Sequence, residues 1–343
     1  MSLALYRKYR PANFAEVIGQ EQIVSALEGA LRQEKVAHAY LFSGPRGTGK
    51  TSIARIFAKR LGTADVDLYE IDGASNRGID EIRAIRDAVR VFPFDSKYKV
   101  YIIDEVHMLT KDAFNALLKT LEEPPPHVIF ILATTELHKL LDTVVSRCQT
   151  FAFKQPSEET LREVAMATAK KEGYELAPEA ATLVALLGDG SFRDTLGTLQ
   201  KVIGAAASKK IDYEEVRTLT GSPKRELVHA LVSAIFDKQL DQALTTLRKA
   251  GRANLDMATL TKMLLHTLRT LMLLRYAPDL SAEVKKEVSK DELAFLEATL
   301  KKPYKEALSQ VLLAFLDAHQ ALARSPIPEL PLELAFVRVL GEE

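Results

Sequence analysis

Residues 44–52 read Gly44, Pro45, Arg46, Gly47, Thr48, Gly49, Lys50, Thr51 and Ser52. Three glycines at this spacing let successive backbone N–H groups converge on an anion, and a helix starting nearby adds the positive end of its dipole. Lys50 supplies a cation for phosphate oxygens, and the Thr51 hydroxyl is a hard oxygen ligand suited to Mg²⁺. The pattern GxxxxGK[ST] lies between an apolar run, HAYLFS, and a helical pattern, which is the context such a loop requires. The implied ligand is a nucleoside triphosphate with magnesium. A second pair, Asp104 and Glu105, ends the apolar run VYIID, where a carboxylate is costly to bury without a task. Asp104 is suited to hold Mg²⁺ through water and Glu105 to polarise an attacking water, so turnover is expected and not sensing alone. His107 reads as a structural or polar surface residue. Arg147, in TVVSRCQTF, and Arg193, in DGSFRDTL, could each stabilise charge on a γ-phosphate, from the same chain or a neighbour. Spacing alone leaves both open as surface cations.

These residues need strand ends and helix starts to hold them. Up to about residue 155, the runs AYLFS, DLYEI, VYIID, VIFILATT and TFAF alternate with helical patterns, and VIFILA is apolar at successive positions, as in a parallel strand covered on both faces. Within TKDAFNALLKTLEEPPP, Thr110 is the expected N-cap; Phe114, Leu117, Leu118 and Leu121 share a face; Pro124 to Pro126 stop the helix. The alternation predicts a doubly wound α/β domain with a parallel five-stranded sheet over residues 1–155. After Pro156 the strand signal vanishes, and short helical patterns separated by GDGS and ASKK predict a helical domain over 156–221. An all-helical domain follows over 222–343, with turns near Ala250 to Asn254, Pro278 and Pro303. MATLTKMLLHTLRTLMLLRY has an apolar face wide enough for a bundle core or for a subunit interface, broken by Lys262, His266 and Arg269.

The 343 residues carry 46 Lys+Arg against 46 Asp+Glu, so any nucleic-acid surface must be a local patch. MSLALYRKYRP lacks the pattern of a secretory signal, and no uncharged apolar run reaches the roughly 18 residues that cross a bilayer, so a cytoplasmic protein is expected. One cysteine, Cys148, cannot make an internal disulfide or a cysteine-built zinc site and reads as a buried thiol.

Taken in order, YRKYRPANFAEVIGQ, HAYLFSGPRGTGKTSIAR, IDGASN, DEVHMLTKDAFNALLKTLEEPPPH, ATTE, SRC and GSFRD resemble the bacterial DNA polymerase III clamp-loader tau/gamma subunits, which are AAA+ ATPases. The resemblance runs over about residues 4–196, and the helical remainder looks like that family's lid and collar. It implies that Tyr6, Arg7, Arg10, Pro11, Val17 and Ile18 border the adenosine and that Gly44 to Ser52 hold the phosphates of ATP. It makes Asp104 and Glu105 the magnesium and water-activating pair, and matches Thr135 to sensor 1, with Thr134 as a neighbouring option. Arg147 matches a finger reaching the next subunit's ATP and Arg193 matches sensor 2, so an oligomer is implied. The implied partners are delta-like and delta-prime-like subunits, further copies of this chain through the collar, a sliding clamp, and primer–template DNA. Arg77, Arg83 and Lys119 lie where similar proteins present cations to DNA, although each also reads as a solvated surface charge. KRLGTADVDLYEI crosses the interval where the family usually carries a zinc module with only a short turn, so no zinc is expected. The length resembles the shorter gamma form, and no polymerase site is expected. Two alternatives share the phosphate loop: a Holliday-junction branch-migration motor, disfavoured by FNALLKTLEEPP and SRC, and an assembly protein using ATP only as a conformational switch, disfavoured by intact Lys50, Glu105 and Arg147.

Overall fold

The five apolar runs fold as strands: β1 (Ala39–Ser43), β2 (Leu68–Asp72), β3 (Lys99–Asp104), β4 (Val128–Thr134) and β5 (Gln149–Ala152). The computed structural model describes residues 3–76, 78–277, 279, 288, 290–304 and 307–341; Arg77 and the turn at Pro278 lie outside the described residues. All four strand pairings in this sheet are parallel, in the order β2-β3-β4-β1-β5. β1 and β4 are buried at every position, as their continuous apolar runs require, whereas β2 and β5 are largely exposed because they close the two edges. Register brings the functional ends together: Ser43 pairs with Thr134 and Ile103 with Leu132, so Gly44, Asp104 and Thr135 follow neighbouring strand ends.

Alternate strand residues feed two apolar layers. Tyr40, Phe42, Ile102 and Ile131 pack with Ile23 and Leu27 of α2 (Glu21–Arg32) and Ile53 and Phe57 of α3 (Lys50–Arg60), which follows a short α1 (Leu5–Lys8) and α2 in chain order. On the other face, Leu41, Tyr101, Ile103 and Phe130 pack with Ile82 and Ile85 of α4 (Ile79–Ala88), Phe114, Leu117 and Leu121 of α5 (Lys111–Glu122), and Val144 of α6 (Asp142–Val145). Thr110 caps α5, its hydroxyl accepting the Ala113 N–H at 3.3 Å. The turn between α3 and β2 is short, and its Asp67, 1% exposed, accepts the N–H groups of Phe94 at 2.7 Å and Asp95 at 2.8 Å. Those bonds fix a loop that presents Phe92 and Phe94, which are 76% and 87% exposed.

This sheet and its helices form one compact unit, Met1–Leu161 together with Gly190–Leu196; the second unit comprises Arg162–Asp189 and Gly197–Glu343. After α7 (Glu158–Lys171), the second unit holds a feature the sequence does not announce, a parallel ladder of β6 (Glu175–Leu176) and β7 (Lys210–Ile211). Two residues are too few to display a strand period, which corrects the expectation that no strand follows Pro156. Around it lie α8 (Pro178–Leu187), the later part of α9 (Phe192–Ala205), and α10 (Tyr213–Thr220). The remaining helices, α11 (Arg225–Phe236), α12 (Leu240–Arg252), α13 (Met257–Tyr276), α14 (Lys290–Leu300), α15 (Leu308–Leu322) and α16 (Leu330–Leu340), share one core through Phe236, Leu264, Leu268, Phe315 and Phe336. The wide stripe of α13 is therefore bundle core, and Lys262, which interrupts it, pairs with Asp189 at 2.9 Å. Among the described residues no helix is long and apolar enough to cross a membrane.

Candidate active site

The phosphate-type loop is held by its neighbours before any ligand is considered. The Gly44 N–H donates to the Thr134 carbonyl at 3.1 Å, anchoring the loop to β4. A Cβ at Gly44 would meet the Phe153 carbonyl oxygen, and one at Gly47 (φ 73°) would collide with the Ser191 hydroxyl, so both positions need glycine. Gly49, at φ 103°, starts α3 with no side-chain cap, leaving the first N–H groups of that helix for an anion. Lys50 is 6% exposed, and its Nζ donates to the carbonyls of Gly44 at 2.7 Å and Pro45 at 2.8 Å. Burial pushes the lysine below its ordinary pKa and Arg193 adds to that, while Glu105 and Asp104 pull it back. Thr48 braces the turn by donating to the Pro45 carbonyl at 2.9 Å; Pro45 and Arg46 are exposed and Ser52 half-buried.

Across from the loop, the Thr51 hydroxyl donates to Asp104 Oδ2 at 2.7 Å, while the other carboxylate oxygen accepts the Glu105 N–H at 3.0 Å. A hydroxyl and a carboxylate brought together at a helix start are a hard-oxygen set that fits Mg²⁺. Glu105 has a left-handed backbone, φ 46°, an uncommon state for a residue other than glycine. That state turns the chain sharply off β3, and Gly73 at the end of β2 backs the turn by donating to the Asp104 carbonyl at 2.8 Å. The Glu105 carboxylate accepts from the Thr135 hydroxyl at 3.0 Å. Of the two sensor options, Thr135 faces Glu105 and Thr134 is fully buried, its hydroxyl against His107 at 3.0 Å.

The segment carrying Arg193 lies against the loop: Phe192 donates to the Gly47 carbonyl at 3.1 Å, and the Arg193 guanidinium lies 5.7 Å from the Tyr6 ring centroid. Arg10 sits below its ordinary pKa, chiefly through burial and then through Arg55, with Arg193 and Arg7 adding to it. Tyr6, Arg7, Arg10 and Arg193 thus gather on one side of the loop. Val17 is half-buried against the α2/α3 layer, Pro11 half-buried, and Ile18 50% exposed. Arg147 stands apart, donating to the Thr143 carbonyl at 2.7 Å and to Glu122 at 2.8 Å. Arg83 and Lys119 are exposed on α4 and α5, which pack together. Cys148 is half-buried and not wholly buried as expected, because it sits where α6 gives way to an edge strand; burial still pushes its thiol up to about 11.

Sequence reasoning passed over three arrangements. His107 joins Glu105, Thr134 and Glu136; Gln20 pairs both ways with the Lys154 backbone, at 2.7 and 3.2 Å; and Arg55 grips Glu70 through two 2.6 Å bonds. Each joins segments far apart in the chain, so no local period signals it.

The family model described as "DNA polymerase III, delta subunit" matches residues 19–70 and 62–157, and that for "DNA polymerase III subunits gamma and tau domain III" matches residues 211–342. DNA polymerase III subunit tau of Bacillus subtilis is 39% identical, over 98% of this chain and 63% of its own length. The gamma/tau subunit of Mycobacterium tuberculosis (strain H37Rv) is 37% identical over 85% of this chain and 54% of its own, and the tau subunit of Escherichia coli is 37% identical over 80% and 46%. The chain therefore spans between about half and two thirds of the length of these relatives. Among solved structures, the Thermotoga maritima RuvB Holliday junction branch migration motor aligns with a TM-score of 0.53 over 66% of this chain and 79% of that one, at 23% identity. At that identity the likeness speaks for the fold alone. With its phosphate loop, its Asp104–Glu105 turn and its helical bundle each in place, the chain carries domain III of the DNA polymerase III gamma and tau subunits over residues 211–342 and is similar to the tau subunit of Bacillus subtilis along nearly all of its own length.

Proposed function

We propose that the chain is an ATP-hydrolysing motor subunit of a clamp loader, acting with delta-like and delta-prime-like subunits to place a sliding clamp on primer–template DNA. Supporting this reading is one observation above others: Asp104, Glu105 and Thr135 follow the ends of neighbouring strands, and Thr51, beside Lys50 at the start of α3, bonds Asp104 there. Bound with ATP, Mg²⁺ would be held by Thr51 and Asp104 and would supply charge neutralisation at the β- and γ-phosphates. Within the loop Gly44 to Ser52, the N–H groups of Gly47 to Thr51 orient the triphosphate and Lys50 neutralises it, while Tyr6, Arg7, Arg10, Pro11, Val17 and Ile18 border the nucleoside. Glu105 draws the proton from the attacking water, and Thr135 orients that carboxylate. Arg193 reports the γ-phosphate to the helical lid, residues 156–221, and Arg147 serves the site of the adjoining copy, with residues 222–343 as collar. Arg83, Lys119 and Arg77 meet DNA phosphates; a few cations per subunit suffice when several subunits surround one duplex, which reconciles binding with zero net charge. The deciding test is ATPase activity of the assembled complex with and without clamp and primed DNA. Stimulation by both is expected, and a rate indifferent to both would overturn the reading.

A further inference from the structure

His107 is the member of the DEVH stretch to which hydrolysis as described assigns no task. Its neighbour Val106 is fully buried in the apolar layer of α4 and α5, but the His107 ring, 5% exposed, meets polar groups instead. Nε2 lies 3.0 Å from Glu136 Oε2, so the ring stands between the carboxylates of Glu136 and Glu105. Glu136 is itself fixed, its carboxylate by Lys139 at 2.8 Å and its N–H by donation to Thr134 Oγ1 at 3.0 Å. The hydrogen bond of Nδ1 with Thr134 Oγ1, at 3.0 Å, sets the ring and leaves Nδ1 3.4 Å from Glu105 Oε2. Thr134 satisfies Nδ1 in either protonation state, donating to a bare nitrogen or accepting from a protonated one.

We infer that His107 is a positioning residue for the Glu105 carboxylate, tying the left-handed turn after β3 to the end of β4. The inference rests on the reading of Glu105 as the water-activating group. Glu105 leaves its strand in a strained conformation that alone does not fix where the carboxylate points. Thr135 restrains one oxygen by a single 3.0 Å bond, and a lone hydroxyl contact leaves the carboxylate able to rotate about it. The imidazole, braced by its bond to Thr134 and lodged beside Glu136, adds a rigid wall against the same oxygen, so the carboxylate keeps one orientation before ATP arrives. Such preorganisation acts on the rate of the chemical step and leaves phosphate binding untouched, because the ring meets neither the loop nor Lys50.

The test is steady-state ATPase kinetics of the full chain in its assembled, DNA-stimulated complex, together with the affinity for a non-hydrolysable ATP analogue and the Tm of each variant. His107→Ala is expected to lower kcat by about tenfold or more while analogue affinity stays within about twofold. His107→Asn, whose side-chain amide occupies the place of Nδ1, should recover much of that loss. Combining His107→Ala with Glu105→Gln should slow turnover no further than Glu105→Gln alone, since both act through one carboxylate. A wild-type kcat in His107→Ala, or equal losses in the Ala and Asn variants accompanied by weakened analogue binding and a lowered Tm, overturns the inference. Wild-type turnover by Glu105→Gln instead removes the reading beneath it, so the two failures are told apart.

Discussion

At the scale of single residues, the proposed chemistry divides between groups that hold and a group that reacts. Lys50 is already bonded to two loop carbonyls and Thr51 to Asp104, so these side chains are arranged before a triphosphate enters. Glu105→Gln keeps the shape and loses the basicity; we expect ATP affinity near wild type and a turnover loss of about 10²- to 10⁴-fold, the usual worth of a general base, read by single-turnover hydrolysis beside equilibrium binding. Thr51→Val removes a hard oxygen donor without changing side-chain volume greatly; the Mg²⁺ concentration giving half-maximal rate should rise, and an unchanged Mg²⁺ titration would remove Thr51 from the metal set.

At the scale of elements, the turn between α3 and β2 has a structural task beyond its length. Burial raises the Asp67 pKa, but N–H groups from Phe94, Asp95 and Ser96 and the Ser96 hydroxyl outweigh it and hold the carboxyl below its ordinary value. Its stabilisation is thus complete above the unfolded value of about 4 and is lost as pH falls through the lower folded value. Asp67→Ala should cost about 1–3 kcal/mol at neutral pH, by analogy with hydrogen bonds to charged groups, and should flatten the acid limb of stability in denaturant titrations. Thr110→Ala, removing the cap of α5, should cost about 1 kcal/mol in the same measurement. The elements themselves were largely legible: β1, β3 and β4 announce themselves as continuous apolar runs, and Thr110 and Pro124 to Pro126 bracket α5 as its termini demand. The phosphate loop and the acidic turn were legible for the same reason, being local patterns tied to strand ends. What escaped was tertiary. The β6–β7 ladder is too short to show a period, and the His107 cluster, the Gln20–Lys154 pair and the seat of Ser191 against Gly47 join segments that no window along the chain contains.

At the scale of the whole molecule, the question is which copy completes which site. If Arg147 acts on the adjoining copy, protein carrying Arg147→Ala and protein carrying Lys50→Ala should each be inactive alone, whereas mixed assemblies should regain part of the wild-type rate. An intact loop then meets an intact arginine at some interfaces. Mixtures as inert as their components would place Arg147 outside the neighbouring site. In the single chain the guanidinium is engaged with Glu122 and the Thr143 carbonyl, both on its own surface. A contact this exposed is worth less than about 1 kcal/mol, so it neither imprisons the arginine nor lets it wander. The side chain is moored with a slipknot: if Arg147 serves an adjoining copy, a triphosphate brought near by assembly has only this weak tether to displace.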